Sequence, residues 1–198
     1  ISHAVAVVNG TNALSLALRV CGVKSDDEVL VPSLTFAGTA NAIAALGAHC
    51  HFIDIEEECF GIDPEKLEEQ LKLVGRYGKN GLVNKNTGRL IKAIVPVHIF
   101  GRSCCIDSVI EVSKKFGLTV VEDAAEAHGQ IEGGKKCGSF GDISTLSFYA
   151  NKHVTTGEGG MILVDSDQYS AKSRQMINLD FNNNERFKHN NLYWNYRL

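Results

Sequence analysis

Apolar and β-branched residues come in short blocks along this chain, and most blocks are followed by a longer stretch whose apolar positions recur at helical spacing. Blocks of four or five such residues read as buried strands, and the amphipathic stretches as helices lying on them. The first strand, VAVV from Val5, breaks at Asn9 and Gly10 into an amphipathic stretch through Cys21. Further strands are expected over 28–31, 51–55, 91–95, 118–121, 143–148 and 160–164. Helices are expected over 36–46, from the N-cap pair Asp63-Pro64 onward, and over 103–116 and 167–178. The polar, glycine-containing stretch 75–88 reads as a loop within one domain. Regular alternation requires crossover connections, so the fold class is α/β, a mostly parallel sheet with helices on both faces.

Composition narrows the class. With 198 residues, 44% of them hydrophobic, the chain can bury one sizeable core. A formal charge of −3 and the lack of a Lys/Arg cluster argue against a nucleic-acid partner. Neither a bilayer-length apolar run nor a cationic leader with an apolar core is present, so the expectation is a cytoplasmic protein with no membrane partner. The six cysteines, Cys21, Cys50, Cys59, Cys104, Cys105 and Cys137, show no CxxC pair and no metal-ligand spacing. They read as small buried hydrophobes in a reducing compartment, with no metal site.

Chemistry concentrates in three segments. In LSFYANKHVTTGEGG, Lys152 stands between a strand-like run and a glycine-rich turn, where a lysine nucleophile can be held. The alternative is a solvated surface lysine. In LTVVEDAAEAHG, an apolar strand delivers Asp123 at its C-terminal end, the side of an open α/β sheet where ligands bind. The alternative is a helix N-cap. A lysine and a buried aspartate in one crevice suit pyridoxal phosphate (PLP), whose electron sink works when its ring nitrogen stays protonated. In VAVVNGTNA, a strand opens into a helix start whose free N–H groups and dipole attract a phosphate.

These segments, with GTNAL, PSLTFAGTANAI, PVHIFG, SFGDISTLSFYANKHVTTGEGG and WNYRL, resemble the DegT/DnrJ/EryC1/StrS family of PLP-dependent nucleotide-sugar aminotransferases. The resemblance runs essentially end to end, and EDAAEAHG and SFYANKHVTTGEGGM are most similar to the perosamine-synthase type of 4-aminotransferase. It implies the large domain of the fold type I PLP-dependent transferases over residues 1–198. The chain begins inside the first strand and stops before the small C-terminal domain, so it is expected to be a fragment. By the resemblance, Lys152 binds the cofactor aldehyde and moves the proton, Asp123 pairs with the ring nitrogen, and Ser147 binds the phosphate. Thr11, Asn12 and Ala13 form the phosphate turn, Phe36 covers one ring face, and Glu126 stands beside the ring where many relatives have glutamine. Asn195 is implied to reach the neighbouring subunit's cofactor phosphate, which means a homodimer with shared active sites. His98 and His153 are assigned no role.

Relatives that dehydrate the sugar carry histidine at the lysine position, so Lys152 favours transamination. The implied reaction moves an amino group from an amino acid, usually glutamate, to a keto sugar nucleotide, at C4, for surface-polysaccharide or deoxyamino-sugar biosynthesis. Lysine and aspartate serve other PLP reactions too, such as racemisation and β-elimination. A reading of a different class is a non-catalytic dimeric module of the same fold that binds PLP or a sugar nucleotide.

Overall fold

Strand periodicity sorts the core into two layers. Val29 and Val31, Ala93 and Val95, and Val121 belong to one apolar cluster, while the intervening Leu30, Ile94 and Val120 belong to another. Successive side chains of a strand point to opposite faces, so both faces of these strands are buried. A computed structural model describes residues 1–181, 187–189, 191 and 193–197 of the chain.

In chain order the elements are β1 (His3–Val7), α1 (Gly10–Val20), β2 (Glu28–Pro32), α2 (Ala37–Ala44), β3 (His49–Ile53) and α3 (Pro64–Val74). There follow β4 (Gly75–Gly78), β5 (Gly81–Asn84), β6 (Ile91–Ile94), α4 (Ile106–Phe116) and β7 (Thr119–Asp123). The remainder is β8 (Ile131–Glu132), β9 (Lys135–Lys136), β10 (Ile143–Ser147), β11 (Gly160–Val164) and α5 (Asp167–Met176).

Seven strands form one sheet in the order β1-β11-β10-β7-β6-β2-β3. Its pairings are parallel except those of β11, which is antiparallel to both neighbours. Six strands therefore run one way, and their C-terminal ends share one edge. Helices α1, α2 and α5 cover the first face, and α3 and α4 the second. This is the α/β class expected from the alternation. Leu16 and Leu18 of α1 are fully buried between the sheet and the neighbouring helices. Burial of each contributes roughly 1.5–3 kcal/mol.

Local chemistry sets the helix ends. Asp63 Oδ1 accepts from Glu65 N at 2.8 Å and Lys66 N at 3.1 Å, and Pro64 occupies the first turn, where its missing N–H costs nothing. Gly117 stops α4 with φ 69°, a conformation in which a Cβ is unfavourable.

Three expectations need correction. The stretch 75–88 contains the antiparallel hairpin β4–β5 rather than only a loop. Its anchor is remote in sequence: Asn84 Nδ2 and Thr87 Oγ1 both donate to the buried Glu28 carboxylate at the start of β2. The helix expected from residue 103 begins at Ile106, because residues 99–101 make a tight 3-10 turn in which Phe100 has φ 55°. The strand expected over 51–55 lies at His49–Ile53, where all five residues pair with β2.

Candidate active site

The shared C-terminal edge of the sheet carries a cavity of about 490 Å³. Its walls come from the segments that follow five strands: Asn9 to Thr11 after β1, Phe36 to Thr39 after β2, Val97 to Ile99 after β6, Asp123 to Glu126 after β7, and Ser147 to Lys152 after β10. Parallel topology alone makes these five exits converge, as in other open α/β sheets. The volume falls in the usual range for a small-molecule site.

Lys152 and Asp123 both line this cavity. The Asp123 side chain is buried, accepting from Thr39 Oγ1 at 3.0 Å on one oxygen and from Ala125 N at 3.1 Å on the other. The Ala125 bond closes a local turn, and no helix follows Asp123, so the N-cap alternative does not hold. Burial pushes the Asp123 carboxyl above its usual range, against the opposing pull of those two bonds and of the Lys152 charge. A buried carboxylate in that condition favours a cationic partner arriving in the cavity. Lys152 Nζ donates to Glu126 Oε1 at 2.9 Å, and the other Glu126 oxygen accepts from Phe100 N at 2.9 Å. Burial raises the Glu126 carboxyl, but the Lys152 and Phe100 bonds outweigh it and leave it lowered. An ionised Glu126 therefore holds the lysine ammonium at the cavity wall.

One wall of the cavity is the start of α1. Asn9 caps α1, its Oδ1 accepting from Asn12 N at 2.9 Å and its carbonyl from Ala13 N at 3.0 Å. Those two N–H groups are thus engaged by the cap, and Ala13 is fully buried in the core. Gly10 and Thr11 at the start of α1 face the cavity instead, beside Ser147. A Cβ added at Gly10 would sit 2.7 Å from Ser147 Cβ, so only glycine allows the helix start to approach that serine. Phe36, just before α2, is 72% exposed at the cavity mouth. Asn195 does not line the cavity; it bridges to Asn178 and accepts from Arg197 Nε at 3.0 Å.

Thr39, Tyr149, Asn151 and Glu158 line the cavity without having been singled out in the sequence, and Gly10 was marked there only as the break between strand and helix. His98 also touches the cavity, but its ring is tied off, Nδ1 accepting from Cys104 N and Nε2 donating to Glu122. His153 is exposed, its ring 6.4 Å from that of His128.

A nucleophile-capable lysine, a buried acid and a helix start with a serine around one cavity define a cofactor-binding α/β domain, and the donor set fits PLP. The DegT/DnrJ/EryC1/StrS aminotransferase family matches residues 1–198, and the chain belongs to that family, whose cofactor is PLP. GDP-perosamine synthase of Caulobacter vibrioides is 41% identical over 198 residues, covering all of this chain and 49% of that protein. A DegT DnrJ EryC1 StrS aminotransferase from Brucella abortus superposes with TM-score 0.88 at 28% identity, over all of this chain and 51% of that one. NtdA from Bacillus subtilis, solved with bound cofactor PMP, gives TM-score 0.84 at 28% identity over 99% of this chain and 41% of its own. The chain spans about half the length of these and other curated relatives it matches.

Proposed function

We propose that the protein carrying this chain is a PLP-dependent aminotransferase that moves an amino group from glutamate to C4 of a keto sugar nucleotide. What carries the reading is that Lys152 and Asp123, 29 positions apart in sequence, line one cavity at the strand ends. The similarity to a GDP-perosamine synthase supports a nucleotide-linked amino sugar as product, of the kind used in surface polysaccharides.

When bound, PLP would supply a reactive aldehyde and an electron-withdrawing ring. Gly10, Thr11 and Ser147 would hold its phosphate through N–H and hydroxyl donors at the positive end of α1. Asp123 would keep the ring nitrogen protonated, and Thr39 fixes the orientation of that carboxylate. Phe36 would close the open face of the ring. Lys152 Nζ would bond the cofactor and, once released, carry the proton at its own nitrogen as a general base and acid. Glu126 parks that nitrogen between events. We further propose that two copies share their active sites, Asn195 of each reaching the other's cofactor phosphate, since Asn195 is not among the residues that line its own cavity.

The test is to supply the full-length protein with PLP, glutamate and a panel of 4-keto and 3-keto sugar nucleotides, locating the new nitrogen by NMR. A 4-amino sugar nucleotide is expected. A 3-amino product overturns the assigned carbon. Cofactor binding without product from any sugar would favour the non-catalytic module.

A further inference from the structure

Residues 101–103 and 105 line a second, shallow and open cavity of about 590 Å³, which Cys59 also lines. The spacing of 46 residues between Cys59 and Cys105 hid the pair in the sequence, where all six cysteines read as buried hydrophobes. Cys59 and Cys105 are instead half-buried, and their Sγ atoms are 3.3 Å apart. A Glu56 carboxylate oxygen completes a trio in which all ligand atoms lie within 4.8 Å of one another.

We propose that Glu56, Cys59 and Cys105 bind a soft divalent cation, zinc above all, with water from the cavity as fourth ligand. Two thiolates and one carboxylate are a donor set zinc prefers, and three protein ligands plus an open position is a recognised arrangement for it. Zinc–sulfur bonds of ~2.3 Å at a tetrahedral angle place two sulfurs about 3.8 Å apart, so the pair needs only a small separation. Glu56 is already oriented, since its oxygens accept from Glu58 N and Cys59 N, the outer hydrogen bonds that ligating carboxylates ordinarily have. These bonds use only part of the carboxylate's lone pairs.

Charge favours a cation here. Both thiol protons leave to solvent on binding. The carboxylates of Glu58 and Glu132 line the same cavity, opposed by the Arg102 guanidinium, which lies over the Phe60 ring. The cation would tie the turn at Glu56–Phe60 to the segment whose Phe100 N–H holds Glu126.

Zinc-protected alkylation tests this on the unmodified protein. Reduced, metal-free protein is treated with iodoacetamide with and without stoichiometric Zn²⁺, and each cysteine is scored by peptide mass. Expected is at least about tenfold slower labelling of Cys59 and Cys105 with zinc, and no change at the part-buried Cys50. Equal labelling with and without zinc overturns the site. As a second readout, Co²⁺ should give a thiolate charge-transfer band that is lost in C59S and C105S, with affinity roughly 10- to 100-fold weaker in E56Q. A band that persists in both serine variants, or Cys59 and Cys105 joined as a disulfide in place of retained metal, also overturns it.

Discussion

Glu122 and Asp123 are neighbours at the end of β7, yet the two faces of the sheet treat them in opposite ways. Glu122 is fully buried among five donors: His98 Nε2, the N–H groups of Gly138, Phe140 and Gly141, and Ser144 Oγ. Burial pushes its carboxyl up, but those bonds prevail and hold it at about 2. Asp123 is as deeply set, accepts two bonds and is left above its usual range. A carboxylate whose lone pairs are all served is scaffold. One held beside a cavity with unmet demand for positive charge is a binding group.

Substitutions at these positions test the contrast, and the largest effect is expected at Lys152, which lines the same cavity as Asp123. Lys152→Ala should lower amino transfer by about 10³–10⁴-fold, since it removes the group that carries the proton. Steady-state and single-turnover rates on the full-length protein measure this, and circular dichroism should show the fold unchanged. Asp123→Asn should cost about 10²–10³-fold in rate, comparable to losing one preorganised electrostatic contact. Its stability should behave in the reverse sense. A raised carboxyl contributes stability that is present below its unfolded value near 3.8 and is lost as pH rises through the folded value. Without cofactor, Asp123→Asn should therefore be at least as stable as the parent near pH 7, which urea unfolding will report.

Glu122→Gln is the mirror experiment. It replaces one acceptor oxygen by an NH2 donor that faces other donors and should destabilise the domain by about 3 kcal/mol or more. The Glu122 contribution is complete above its unfolded value near 4.5 and is lost as pH falls toward about 2. The variant should lose that part of the acid dependence, and a parental slope between those values would contradict the scaffold role. Glu126→Gln should have the smallest effect on the fold, below about 1 kcal/mol, because the Lys152–Glu126 pair is partly exposed.

Much of the site was legible in the sequence because it depends on strand direction. An apolar run ending in Asp123, and another ending near Ser147 and Lys152, necessarily discharge at one edge once the strands are parallel. The two-layer core followed from the same alternation. What stayed hidden are contacts between distant segments. Thr39 reaches Asp123 across 84 residues, Glu28 anchors the hairpin 75–84 through side chains more than 50 positions away, and Cys59 meets Cys105 across 46. No local pattern encodes such meetings, since loop geometry sets them. Of the helix start, Gly10 and Thr11 line the cavity, while Asn9 claims the Asn12 and Ala13 N–H groups for its cap.

The most direct test of the shared cavity is to incubate the protein with PLP, fix the adduct with borohydride, and map it by peptide mass spectrometry, with Asp123→Asn alongside. The account predicts one modified residue, Lys152, and a changed adduct spectrum in the variant. Labelling spread over surface lysines, or a parental spectrum in Asp123→Asn, would contradict it.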